Sequence, residues 1–340
     1  MSDRRERFGR REFVSGLTLA GAAGLLSLHP ELVAAQPPSE TTRIRLTQFP
    51  DVCAATPLIV ANDFLRAEGF ADLQYVKLSS GPDSMAAVAA GEADLSIAAV
   101  YGLIPRVEAG DPIVMLGGIH AGCFELFGSD RVRSVLAFKG KKIAVTKLGS
   151  GRHFLMASIA ANVGLDHQKD IEWVESSAAE SMRLFVEGKI DGVLAFPPEP
   201  QELRAKKIGR VVVNTATDRP WSQYFCCMLF ANKEFVHRHP VATKRALRAI
   251  LKATSLCAVD PDRAVRLRTD RGYADRSGYE LQSIRELTYA RWREFDAADT
   301  VRFISLRLKE VGFIKSSPQR IITQGTDWRF LNELKKELKG

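Results

Sequence analysis

The chain has 340 residues, 46% of them hydrophobic, with 48 Lys and Arg against 40 Asp and Glu for a formal charge of +8, and five cysteines. At roughly 100 to 200 residues per domain, this length allows two packed domains and excludes a single small core. The positive excess favours anionic ligands, but no basic run interleaved with aromatics and no nucleic-acid module accompanies it, so nucleic acid is not an expected partner.

In chain order, Arg10-Arg11-Glu12-Phe13 precede an uncharged run from Val14 through Leu28, which ends near Val33-Ala34-Ala35. The pattern predicts a twin-arginine export signal over residues 1–35, cleaved near Ala35, and so a periplasmic location. The run is too weakly apolar for a membrane span of roughly 20 strongly apolar residues. No Cys stands at the cleavage point, so no lipid anchor is expected there.

Beyond the signal the chain echoes itself. Val88-Ala89-Ala90-Gly91-Glu92-Ala93-Asp94 leads into apolar Leu95 to Val100, and Phe185-Val186-Glu187-Gly188-Lys189-Ile190-Asp191 leads into Gly192 to Phe196. The two glycines (188 minus 91) and the two aspartates (191 minus 94) are both 97 residues apart. Each stretch reads as a helix ended by a left-handed Gly, a tight turn and a buried strand. Further back, Ile44-Arg45-Leu46 is answered by Ile143-Ala144-Val145, and Gly69 by Gly164. Each half is therefore a β-α-β-α-β unit, and the pair predicts an α/β fold of two lobes, each a mainly parallel sheet flanked by helices.

His120 to Lys139 and Asn214 to Phe225 break the periodicity and are the expected crossovers. The first lobe is then discontinuous, 43–122 and 226–340, with the second at 123–225. After Pro240, which suits a first helical turn, Leu247, Ile250, Leu251 and Thr254 share a helical face, and these helices are expected to buttress the first lobe. Arg263, Arg266, Arg268, Arg271 and Arg276 read as a solvated face. Asp327 to Leu338 reads as a terminal helix capped by Asp327.

The cysteines, Cys53, Cys123, Cys226, Cys227 and Cys257, show no C-x-x-C pair and no metal-ligand spacing, so no zinc or iron-sulfur site and no cofactor are expected. The compartment allows a disulfide, yet an odd count leaves at least one thiol unpaired. His120 and Cys123 begin the first crossover, where they either line the cleft or, as a lone His or Cys more often does, serve structure.

Five segments in order carry a family resemblance: Ala61-Asn62-Asp63-Phe64-Leu65-Arg66-Ala67-Glu68-Gly69, Ser79-Ser80-Gly81-Pro82-Asp83, Ala90-Gly91-Glu92-Ala93-Asp94, Lys139-Gly140-Lys141-Lys142-Ile143-Ala144-Val145, and Gly188-Lys189-Ile190-Asp191 with Phe196-Pro197-Pro198-Glu199-Pro200. From about Ile44 to Ala264 the chain resembles the ABC-importer solute-binding proteins related to thiamine-pyrimidine synthases, which take aliphatic sulfonates, nitrate and thiamine-pyrimidine precursors. The resemblance implies a hinged type II periplasmic-binding-protein fold, a small-molecule ligand, an inner-membrane permease as partner, a monomer, and no catalysis.

Ligands of open α/β sheets sit at the carboxyl ends of strands. That rule gathers Gln48, Phe49 and Asp51 after strand one, Ser80, Gly81 and Ser84 after strand two, Tyr101 after strand three, and Gly149, Ser150, Gly151, Arg152 and His153 after the first strand of the second lobe. The helix starts at Ser80 and Ser150 suit an oxyanion. The resemblance places a ligand loop at the second of them. Phe49 and Tyr101 are candidate walls, and Glu199 is a candidate partner for an amine or ring N-H. His237 and His239 read as helix entry only.

Three readings compete: a ligand-sensing partner of a membrane receptor, which the sequence does not separate from an importer component, and two enzymes. Sulfinate desulfinases resemble these binding proteins and use a cysteine near the first strand, roughly where Cys53 stands ahead of a helix expected near Pro57, with no His or Arg beside it in sequence. The pyrimidine-forming enzymes carry a cysteine-rich run, of which this chain keeps only Cys226-Cys227.

Overall fold

A computed structural model describes residues 37–273 and 278–338, so the expected export signal and Arg276 lie outside the described residues. In the first half β1 (Arg43–Gln48) runs into α1 (Val52–Val60) and α2 (Asn62–Ala67). There follow β2 (Asp72–Lys77), α3 (Gly81–Ala89), β3 (Leu95–Ala99), α4 (Val100–Glu108) and β4 (Ile113–Ala121). The second half repeats the plan with β5 (Glu125–Gly128), β6 (Lys141–Val145), α5 (Gly151–Asn162), β7 (Ile171–Glu175), α6 (Ala178–Val186), β8 (Gly192–Ala195), α7 (Glu199–Ala205) and β9 (Arg210–Asn214). Strand β10 (Phe225–Asn232) is followed by helices only: α8 (Lys233–Arg238), α9 (Pro240–Val259), α10 (Pro261–Asp270), α11 (Tyr279–Glu286), α12 (Ala297–Glu310), α13 (Pro318–Gly325) and α14 (Arg329–Glu337).

Two five-stranded sheets result, ordered β2-β1-β3-β10-β4 and β7-β6-β8-β5-β9. The echo has a direct structural cause. Gly91 and Gly188 both take positive φ, +73° and +68°, where a side chain would be strained. The aspartate three residues on then ties back to the first strand of its own sheet: Asp94 accepts the Arg45 N-H at 2.7 Å, and Asp191 accepts the Lys142 N-H at 3.0 Å. Arg45 and Lys142 are themselves 97 residues apart (142 minus 45).

Each sheet is mainly parallel, as expected, with one strand running against the other four. β10 pairs antiparallel with β3 and β4, and β5 pairs antiparallel with β8 and β9. Both strands enter from the other sheet, at the carboxyl edge of their parallel neighbours, and so must run the opposite way. The stretch expected as one long crossover, His120 to Lys139, thus contains a strand. The two chain passages lie side by side, because a Cβ at Gly122 would stand 2.0 Å from the Thr215 carbonyl oxygen. Thr215 Oγ1 accepts the Phe124 N-H at 2.9 Å, and the Thr215 N-H donates to the Phe124 carbonyl at 2.9 Å.

Several local expectations change. The first helix starts at Val52, not near Pro57, so Cys53 lies in its first turn and Pro57 lies inside it. Pro57 has no N-H for the Cys53 carbonyl four residues back, and Tyr289 Oη donates to that carbonyl instead at 2.8 Å. The last helix begins at Arg329, and Asp327 still accepts the Arg329 N-H at 3.3 Å. Arg268 is not solvated: it is fully buried in a two-point ion pair with Glu280, and it donates to the carbonyls of Pro50 and Asp51. Leu247, Ile250, Leu251 and Thr254 are all buried, as their spacing predicts. The C-terminal helices nevertheless serve both lobes. Arg204 of α7 pairs with Glu286 of α11, and Phe313, just past α12, packs on His153 and Phe154 of α5.

Among the described residues no helix is long and apolar enough to cross a membrane.

Candidate ligand site between the sheets

The loops at the carboxyl edges of the two sheets meet at glycines. A Cβ on Gly151, the first residue of α5, would lie 3.4 Å from the backbone N of Gly102 in the first turn of α4. A Cβ on Gly81, the first residue of α3, would lie 3.2 Å from Asp51 Oδ2. Helix starts from both lobes therefore converge with little side-chain bulk between them, and their N-H groups and dipoles favour an anion.

Charge at this place comes from Asp51, Arg152 and Glu199. Arg152 forms a two-point pair with Glu199 at 3.2 Å on each arm, donates to the Leu194 carbonyl at 3.2 Å, and lies 4.2 Å over the Phe196 ring. Glu199 also accepts the Phe196 N-H at 3.1 Å. The Asp51 carboxyl is pushed up to about 7, first by burial and next by Cys53, with Glu199 adding to the rise and Arg152 and Arg268 opposing it.

The serine hydroxyls are engaged locally. Ser80 Oγ accepts the Asp83 N-H at 3.3 Å and donates to Asp83 Oδ2 at 2.8 Å. Ser84 Oγ donates to the Gly81 carbonyl at 2.7 Å, and Ser150 Oγ accepts the His153 N-H at 3.4 Å. Ser80 and Ser150 thereby cap their helices, and Ser84 bonds back within its own. Gly149, at φ +79°, donates its N-H to His153 Nδ1 at 3.0 Å.

His153 does not join Arg152. Its ring is buried against Trp173, His167 and Phe313, and burial first, then His167, pushes its pKa down to about 4. Phe49 is fully enclosed in the main apolar core, and Gln48 is buried as well. Tyr101 does reach the boundary between the lobes. With Phe124, Leu155, Trp221, Tyr224 and Phe303 it lines an apolar crevice of about 20 Å³, room for about one water. An organic ligand, for which pockets run to several hundred Å³, requires the lobes to separate there.

Sequence reasoning missed the aromatic side of this crevice, because Trp221, Tyr224 and Phe303 come from segments with no strand-end signature. It also missed what becomes of the cysteines. Cys53 from α1, His120 from β4, Cys123 from the first crossover and Cys227 from β10 place their donor atoms within 4.8 Å of one another, all buried. Cys226 Sγ lies 3.1 Å from Cys123 Sγ. No spacing in sequence announces this group, since each member comes from a different element. Hydrogen bonds from Cys123 and Cys227 hold the Cys53 thiol well below its ordinary pKa, against the opposing effect of burial.

Two mixed α/β sheets of identical strand order, joined by paired crossovers with helix starts facing across the gap, define a two-lobe periplasmic-binding-protein fold. The chain belongs to the NMT1-like family, which it matches over residues 37–267. A comparison with curated proteins finds no match. Among solved structures it is similar to the alkanesulfonate-binding protein SsuA of Xanthomonas axonopodis pv. citri bound to MOPS, with TM-score 0.68, 16% identity, and 86% of this chain and 100% of that chain covered. It is also similar to the periplasmic nitrate-binding protein NrtA of Synechocystis PCC 6803, with TM-score 0.73, 15% identity, and coverage of 88% and 90%. A Candida albicans gene product described as having the generic periplasmic binding protein fold aligns with TM-score 0.66, 14% identity, and coverage of 84% and 96%.

Proposed function

We propose that the protein is the solute-binding component of an ABC importer, exported to the periplasm by a twin-arginine signal, which closes its two lobes on a small organic anion and passes it to a permease. The observation that carries this reading is the meeting of Gly151 with Gly102, which brings the starts of α5 and α4 together from opposite lobes beside Arg152. An oxyanion entering there would take backbone N-H groups and the guanidinium, while the crevice at Tyr101 and Trp221 would take an apolar or flat body. The fold's resemblance to a sulfonate binder and a nitrate binder supports an oxyanion over a neutral ligand. Gly81, Ser80, Ser84, Gly149 and Ser150 shape the helix starts.

The test is a thermal-shift and calorimetric screen of the mature chain against alkanesulfonates, nitrate, aromatic carboxylates and a phosphorylated pyrimidine, with ligand concentration followed over hours. Saturable binding of one anionic class without conversion is expected, and binding only to the folded state raises Tm with ligand concentration. A second reading, a cysteine-dependent desulfinase-like enzyme, draws support from the lowered Cys53 thiol close to His120. Steady conversion of a sulfinate that stops in Cys53→Ser would establish that reading instead.

A further inference from the structure

We propose that Cys53, His120, Cys123 and Cys227 form a closed four-ligand site for a thiophilic divalent metal ion of the Zn2+ kind. Around such an ion, with bonds of about 2.0 to 2.3 Å, tetrahedral donor atoms stand about 3.8 Å apart or somewhat less. The four donor atoms here already lie within 4.8 Å of one another, so closing on an ion asks for shifts of an ångström or less from side chains on four elements.

Three further observations point to a ligand in the middle of the group. First, His120 lies with Nδ1 3.0 Å from the Ala121 carbonyl. An Nδ1-H donated to that carbonyl leaves Nε2 as the lone-pair nitrogen, the arrangement that supporting hydrogen bonds give to metal-binding imidazoles. Second, that Nε2 is fully buried and has no hydrogen-bond partner among the described residues, a costly state for a polar atom unless something binds it. Third, the surroundings hold the ligands in place. Tyr289 sets its ring edge-on to His120 at 5.4 Å and donates to the carbonyl of Cys53.

Donor chemistry selects the ion. Three thiolates and one imidazole suit Zn2+ and related thiophilic ions and are poor ligands for Mg2+ or Ca2+. Four protein ligands leave no open coordination position, so the site is structural in kind. Burial separates it from a nucleophile, which must be reachable: Cys53, His120, Cys123 and Cys227 are at most 7% exposed. An ion there would tie α1, the end of β4, the first crossover and the start of β10 together at the place where the chain passes between the sheets. The assignment does not depend on which solute the cleft takes.

The test uses the mature chain purified under reductant without oxygen, freed of metal by chelator, and titrated with Zn2+ and separately with Co2+. Expected are one equivalent bound per chain, a raised Tm, and a Co2+ form with intense thiolate charge-transfer and tetrahedral ligand-field bands. Cys227→Ser and His120→Ala, each checked for native circular dichroism, should weaken uptake by more than the roughly 10–100-fold that loss of a mere supporting partner costs. Cys257→Ala, a buried thiol outside the group, should leave it unchanged. Should either ligand variant fail to fold, the Co2+ spectrum of the wild-type chain decides by itself, because octahedral or thiolate-free bands overturn the assignment. Substoichiometric uptake by the reduced wild-type chain overturns it as well, and so does uptake that both ligand variants retain.

Discussion

Arg152 and Glu199 are held together by two parallel 3.2 Å contacts, and Glu199 is fixed in turn by the Phe196 N-H. The guanidinium is thus a positive charge kept in reserve by a carboxylate, at the start of α5 where an incoming oxyanion would compete for it. Arg152→Ala removes a charged hydrogen-bond donor and should weaken binding of a sulfonate or nitrate by about 1.5 to 3 kcal/mol, roughly tenfold to a hundredfold. Glu199→Gln frees the same guanidinium and should tighten it. Calorimetry on both variants checks the pair, and unchanged affinity in both would mean that the ligand is held elsewhere.

Gly151 leaves 3.4 Å between a Cβ and the backbone of Gly102, enough for Ala and too little for the branches of Val. Gly151→Ala should therefore bind like the wild type, whereas Gly151→Val should hold the lobes apart and bind weakly. Small-angle scattering should show ligand-induced compaction in the first variant and little in the second. Equal compaction in both would show that closure does not pass through this contact.

The parts of the fold legible in the sequence are those fixed by local rules. The 97-residue echo was visible because Gly91 and Gly188 must adopt positive φ and because Asp94 and Asp191 must satisfy the first strand of each sheet. Helix starts at Ser80 and Ser150 were visible because capping needs a hydroxyl at one position. What stayed hidden depends on partners distant in sequence. Arg268 follows Ala264 by one helical turn and shares its buried face, but nothing local says that Glu280 and two loop carbonyls await it. The side of the chain chosen by His153 was equally hidden, since a residue three places into a helix can face either the cleft or the aromatic cluster formed with Trp173 and Phe313.

That cluster gives His153 a pH signature. An unfolded imidazole takes up its proton near pH ~6.5, while the folded one resists until about pH 4. The stability this depression represents is complete above about pH 6.5 and is lost as pH falls toward 4, about 3 kcal/mol in all. His153→Asn keeps an acceptor for the Gly149 N-H but cannot titrate. It should be less stable at neutral pH, through lost ring packing, and should show a flatter fall in stability between pH 6.5 and 4. Denaturant titrations across that range decide the matter, and an unchanged slope would assign the acid sensitivity to other groups.

Arg268 lies entirely inside the protein with Glu280, Thr56 and the carbonyls of Pro50 and Asp51 around it. Arg268→Ala would take from the buried Glu280 carboxylate its two-point guanidinium partner and should cost up to about 3 to 5 kcal/mol. The double variant Arg268→Met with Glu280→Leu removes both charges and should recover much of that loss. Because the Pro50-Asp51 turn hangs on this guanidinium, the double variant should still bind solute less well than the wild type. A double variant as unstable as Arg268→Ala would show that the carbonyl contacts, not the ion pair, carry the stabilisation.

Asp51 ends the turn that Arg268 holds, and its carboxyl is raised to about 7, chiefly by burial. The unfolded chain ionises this group near pH ~3.9, so between about pH 4 and 7 the folded protein holds a proton that the unfolded chain has released. Stability therefore declines as pH rises through that window, and the whole cost, at most about 4 kcal/mol and less because the side chain is only half-buried, is reached above pH 7. Asp51→Asn is neutral throughout and should match the wild type near pH 4 and exceed it above pH 7. The same proton governs the cleft. A neutral Asp51 adds no repulsion to an oxyanion at Arg152, whereas an ionised one does, so wild-type affinity for a sulfonate should fall as pH rises through 7 while that of Asp51→Asn stays level. Parallel stability curves would place Asp51 in solvent, and parallel affinity profiles would place the anion out of its reach.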